Sequence, residues 1–173
     1  MAFGKNPPDE GKGPSLFLKF EKGKKQRIHI VSKEPMMFKS FYDKVNKKFI
    51  RVAEERNIPG VKLSYKFAVV VLVEEVVDGV ATIAAKIFEF GRQIKSQLDD
   101  THDVYDGDFS KCDFVVGKTG EGLKTEWTAV ACPAKGMKFD GKLPELAEHI
   151  KMSSEEDIKT YCPIPQDGEE APF

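Results

Sequence analysis

Cations and aromatic rings are interleaved through the first 66 residues of this chain, in short apolar stretches of strand-like composition. Ser15–Phe20 reads S-L-F-L-K-F and Gln26–Val31 reads Q-R-I-H-I-V. Met36–Tyr42 reads M-M-F-K-S-F-Y and Phe49–Ala53 reads F-I-R-V-A. Alternation turns Leu16, Leu18, Phe20, Ile28, Ile30, Ile50 and Val52 inward, and Phe17, Lys19, Arg27, His29, Phe49 and Arg51 outward. A ring facing outward beside Lys or Arg suits a surface that meets bases and phosphates together, because rings stack and cations neutralise. The phosphate-gripping candidates are Lys19, Lys25, Arg27, Lys39, Lys44, Lys47, Lys48, Arg51, Lys62 and Lys66. The stacking candidates are Phe17, Phe38, Phe41, Tyr42, Phe49 and Trp127, each of which has a core reading too. Trp127 suits the filling of a barrel as well as it suits stacking.

The charge distribution agrees with this division. Residues 1–66 hold 16 Lys+Arg against 7 Asp+Glu, a net +9, while residues 67–173 hold 11 against 21, a net −10. Such segregation implies a basic surface for a polyanion and an acidic region elsewhere. Groups for covalent chemistry are missing. There is no G-x-S-x-G, no H-E-x-x-H and no Walker loop. Gly117-Lys118-Thr119-Gly120-Glu121-Gly122 contains G-K-T, but it joins two strands instead of opening a helix, so it reads as a turn. Cys112, Cys132 and Cys162 are far apart, and His29, His102 and His149 have no ligand spacing to them. No catalytic residue, metal site or cofactor is therefore assigned, and the chain is not read as an enzyme.

The elements that must position these residues centre on Val61–Phe90. Val61, Leu63, Tyr65, Phe67 and Val69 alternate with Lys62, Ser64 and Lys66, so the first set is core and the second faces solvent. Asp78-Gly79 is a two-residue hairpin signal that pairs Val70 with Ile87 and Leu72 with Ala85. Glu74-Glu75 is a place for a bulge. Ser15–Phe20 and Gln26–Val31 read as a hairpin around Glu21–Lys24, and Asp43–Lys48 as a hairpin loop. Arg92–Leu98 reads as a short helix with Ile94 and Leu98 on one face. Asp99–Asp108 is an acidic turn without the order of a calcium loop. Phe109–Gly117 and Thr125–Cys132 are further strands, and Leu143–Ile150 a second short helix. The expected fold is all-β or β-rich, an OB-type Greek-key barrel with one or two short helices. Residues 1–14 read as a flexible arm, 15–152 as the domain and 153–173 as an acidic flexible tail. No apolar run is long enough for a membrane span, and the amino-terminus has no signal region. A cytoplasmic protein without membrane contact is expected.

The tail ends Glu169-Glu170-Ala171-Pro172-Phe173, acidic and then aromatic at the carboxylate. It suits docking: Phe173 fills a pocket while Asp167, Glu169 and Glu170 lie on a cationic rim beside Pro172. This tip resembles the acidic, Pro-Phe-ended tail of bacterial single-stranded DNA-binding proteins. I-F-E-F-G-R-Q-I (Ile87–Ile94), Y-D-G-D-F (Tyr105–Phe109) and C-D-F-V-V-G-K-T-G-E-G-L-K-T-E-W (Cys112–Trp127) resemble phage single-stranded DNA-binding proteins. The resemblance covers roughly residues 15–131 and the tail. It implies an OB fold, binding of single-stranded DNA without sequence preference in replication, recombination or repair, and a tail that recruits partner proteins. Some relatives carry zinc in the barrel, but residues 43–60 here hold no cysteine, so zinc is not carried over. An RNA-binding OB module and a non-enzymatic adaptor barrel are the alternative readings.

Overall fold

A computed structural model describes residues 15–161 of the chain. Its architecture is β-rich, a seven-stranded antiparallel sheet with three short helices, and everything is laid out along one long hairpin. Strand β4 (Ser64–Val77) and strand β5 (Val80–Phe90) are joined by Asp78-Gly79. Both turn residues have positive φ, 52° and 79°, as a type I′ turn requires. Val70 pairs with Ile87 and Leu72 with Ala85, the register the turn implies. The ladder runs unbroken from Phe67 to Val77, so Glu74-Glu75 makes no bulge.

The other edge of β4 carries two strands end to end. Strand β1 (Lys25–Ile30) pairs Ile30 with Val71, and strand β2 (Met36–Asp43) pairs Met36 with Ala68. Six residues of the β1–β2 line thus match three of β4, and Val31–Pro35 absorbs the difference. Val31 N–H bonds Val70 C=O at 2.9 Å and Ser32 Oγ accepts Val70 N–H at 2.8 Å. Each half of this interrupted strand then takes its own outer neighbour. Strand β3 (Lys48–Ala53) pairs with β2, while β6 (Cys112–Thr119) pairs with β1 and carries β7 (Glu126–Pro133). The described pairings do not close the sheet into a barrel.

Ser15–Phe20 does not form the expected hairpin with β1. Leu16 C=O and Leu18 N–H both bond Ile87, in parallel, on the far edge of β5. Apolar burial decides this: Leu18 and Phe20 pack on the main core, and Leu16 and Phe17 on the cluster around Ile87.

The main core joins Phe67, Val69, Val71 and Val73 of β4 to Phe88 and Phe90 of β5, with Ile28, Phe114 and Val116 from the neighbouring strands. Helix α1 (Arg92–His102) lays Ile94 and Leu98 on it. It runs one turn beyond the expected end, taking part of the predicted acidic loop. Its Gln93 and Gln97 meet the outer edge of β7. Gln93 Oε1 accepts Trp127 N–H at 2.9 Å, Gln97 Oε1 accepts Ala129 N–H at 2.7 Å, and Gln97 Nε2 donates to Trp127 C=O at 2.8 Å. A helix therefore satisfies part of an edge that would otherwise stay open. Helix α2 (Leu146–His149) is a single turn, shorter than the predicted one; Ile150 after it covers Phe38, Ala68 and Ile87. Ser153–Tyr161, assigned to the tail by its acidity, instead packs on the domain. Helix α3 (Glu155–Tyr161) buries Ile158 against Ile50, Val52 and Ile58. No helix among the described residues is long and apolar enough to cross a membrane.

Candidate nucleic-acid interface

The end of the β2–β3 hairpin gathers the groups sought in the sequence. Asp43 shapes its loop: Oδ1 accepts Val45 N–H at 2.9 Å and Oδ2 accepts the Asn46 side chain at 2.7 Å. The Asn46 bond holds the Asp43 carboxyl below its ordinary range. Lys47 takes a left-handed φ of 53°. The chain thereby returns with Tyr42 directly opposite Phe49. Their ring centroids lie 4.7 Å apart, with Tyr42 42% and Phe49 47% exposed. The two rings pack on each other at a tilt of 44°, each half open to solvent, and leave apolar faces outward.

Lys44 and Lys47 project from the loop, exposed and without an ion pair among the described residues. Arg51 stands on the same face as Phe49, its guanidinium 5.7 Å from that ring. It faces Glu89 at 3.6 Å, and its Nε is buried with no hydrogen-bond partner. An unsatisfied guanidinium nitrogen is costly, and a phosphate met after a rotamer change would satisfy it. Ser153 fixes the Arg51 backbone, donating N–H to its C=O at 2.8 Å and accepting its N–H on Oγ at 3.0 Å. Lys66 is half-buried and on this face, opposite Phe38.

Several candidates are engaged elsewhere. Phe38 is 0% exposed and belongs to the core under Ile150, so it cannot stack on a base. Phe17 and Phe41 are half-buried, packed on the Ile87 and Ile50 clusters. Trp127 takes the core reading: its ring lies edge-on to Phe20 at 5.2 Å. Lys39 is buried; its Nζ donates to Asn57 Oδ1 at 2.9 Å and to Arg56 C=O at 3.2 Å. Arg27 Nε donates to Asp113 at 2.8 Å. Lys48 lies 3.6 Å from Asp157 and 4.6 Å from the Tyr161 ring centroid, both on α3. Lys19, Lys25 and Lys62 are exposed, and Lys62, two residues before the Ser64 that pairs with Ser40, lies level with Tyr42. Asp167, Glu169, Glu170, Pro172 and Phe173 lie outside the described residues.

Two features escaped the sequence reading. Tyr65, assigned to the core, is half-buried between Arg92, 4.7 Å from its ring centroid, and Lys39 at 5.4 Å; Lys95 lies 5.5 Å from the Phe67 ring. The three-residue spacing of Arg92 and Lys95, which puts both on one helix side, was the available signal. The second is Asp113, fully buried. It accepts from Arg27, from His29 Nδ1 at 2.9 Å and from Lys135 N–H at 2.9 Å. Burial pushes its carboxyl up, but the Lys135, Arg27 and His29 bonds outweigh it and hold the group below the ordinary carboxylate value. No signal in the sequence separated Asp113 from a surface acid.

Comparison with known proteins finds no matching family model, curated protein or solved structure.

Proposed function

We propose that this chain binds single-stranded DNA without sequence preference, with an OB-type fold, and serves replication, recombination or repair. Bases stack on Tyr42 and Phe49, and phosphates meet Lys44, Lys47, Arg51 and Lys66. The observation that carries the reading is the half-exposed Tyr42–Phe49 pair standing among unpaired cations and an incompletely satisfied arginine. A ring pair left open costs solvation and needs a partner with a π-face; a basic surround selects a polyanion that has one. The antiparallel sheet, with non-consecutive strands side by side and α1 packed on the main core, supports the barrel reading. The acidic residues 167–173 are the proposed recruiting element for partner proteins.

Fluorescence anisotropy with labelled oligo-dT at two salt concentrations tests the proposal. Affinity should fall with salt, the log–log slope being about −0.7 per phosphate neutralised. Equal affinity in low and high salt, or none at all, refutes it. Competition by oligo-dT and oligo-U for the labelled strand separates DNA from RNA binding.

A further inference from the structure

One acid stands on the cationic face of the sheet. Arg51 pairs with Ser40 of β2, and Glu89 pairs with Ala68 of β4, which is itself opposite Met36 of β2. Ser40 and Met36 point to the same side of β2, so Arg51 and Glu89 share one face. Tyr42, Phe49 and Lys66 lie on that face too. The side chains of Arg51 and Glu89 meet over β2 and β4, which separate their strands.

Their contact is an unfinished one. At 3.6 Å it is an ion pair without a hydrogen bond. The Arg51 side chain is 28% exposed and that of Glu89 22%, so both charges have given up much of their water. Arg51 Nε is buried and has no partner. A phosphate supplies what this contact lacks, oxygens spaced to accept two N–H bonds from one guanidinium. The guanidinium lies 5.7 Å from the Phe49 ring, beside the place where a stacked base brings its phosphate. Ser153 holds the Arg51 backbone on both its N–H and its C=O, so the side chain can change partner while the strand stays fixed.

We infer that Glu89 is the resident counter-ion of Arg51, displaced by the phosphate of a nucleotide stacked on Phe49, and that this exchange holds the affinity down. The inference rests on the single-stranded DNA reading and adds to it an acid that favours release of the strand. Glu89 acts through Arg51 and is a positioning residue. Glu89→Gln removes the charge and keeps the size. Once a cooperative melt shows that the variant is folded, it is titrated with oligo-dT beside wild type. It should bind about 2- to 5-fold more tightly in low salt, the worth of one partly exposed ion pair, with a smaller gain in high salt. A second measurement uses wild-type protein alone. The Arg51 Nε–H resonance, assigned by its loss in Arg51→Lys, should shift when oligo-dT saturates the protein, because the guanidinium changes partner. If wild type binds but folded Glu89→Gln binds no more tightly, or the Arg51 resonance stays in place at saturation, Arg51 keeps Glu89 and the inference fails, while stacking on Tyr42 and Phe49 stands. If Glu89→Gln does not fold, the resonance alone decides. If wild type does not bind the oligonucleotide, both readings fall.

Discussion

Replacing Phe49 by alanine tests the stacking platform, because its two consequences differ in size and can be measured separately. Phe49 is about half exposed, so truncation forfeits about half of the 1.5–3 kcal/mol of a fully buried ring, or roughly 1 kcal/mol. Loss of the Tyr42 contact adds about 0.5–1.5 kcal/mol. The folded state should thus lose about 1.5–2.5 kcal/mol, a drop in melting temperature of roughly 3–10 °C at about 2–4 °C per kcal/mol. A buried phenylalanine would cost about 3–5 kcal/mol. Phe38→Ala, under Ile150, should pay that larger amount and serves as the control. Binding of oligo-dT to Phe49→Ala should weaken by about 1–3 kcal/mol. The salt slope should stay as in wild type, since no charge is removed. Anisotropy titrations well below the melting transition keep folding out of the measured affinity. Wild-type affinity in the folded variant would refute the platform, and a loss of several kcal/mol in stability would make Phe49 a core residue.

Other outcomes follow from the same geometry. Lys47→Ala should flatten the salt slope by about 0.7, and Lys48→Ala by less, because Asp157 and Tyr161 already hold Lys48; slopes from titrations at several salt concentrations compare them. Asp113→Asn should cost about 2–3 kcal/mol at neutral pH, read by urea unfolding, since it removes a buried acceptor from Arg27 and His29. The folded Asp113 carboxyl titrates below its unfolded value, so its stabilisation is present above about pH 4 and disappears as pH falls through the folded pKa. The variant should show a shallower loss of stability below about pH 4 than wild type. Deleting residues 167–173 should tighten oligo-dT binding in low salt and change little in high salt, as tethered acids compete only where charges are unscreened; the same titration reads it.

Most strand positions could be read from the chain because their signals are local. The β4–β5 register follows from Asp78-Gly79, and β2, β3 and β7 from alternating runs within a residue or two of their ends. Ser15–Phe20 failed because its periodicity gave a strand but not its neighbour. Burial of Leu16 and Phe17 against Ile87 decided that, and Ile87 lies about 70 residues away in sequence. The single-turn α2 and the tail boundary failed in a related way. Glu155–Tyr161 has the charge of a tail, but Ile158 finds a pocket that only the folded β3 provides. For the site, alternation placed Phe49 and Arg51 on one face correctly. It placed Phe38 among the stacking candidates because no pattern within β2 announces that α2 covers that face. Asp113 and the Arg92–Tyr65 contact depend on strands and a helix brought together by topology, and composition carries no trace of them.

The two glutamines of α1 have a consequence for motion. The backbone groups of Trp127 and Ala129 on the outer side of β7 are shielded only while Gln93 and Gln97 hold their places on the helix. Amide exchange at these strand positions is therefore governed by opening of the helix, whose own ladder is anchored by Ile94 and Leu98. Helix and edge strand form one cooperative unit. Any event that lifts α1 uncovers a strand edge able to pair with another chain. In this molecule the lifetime of the helix's docked state sets how long that edge stays hidden.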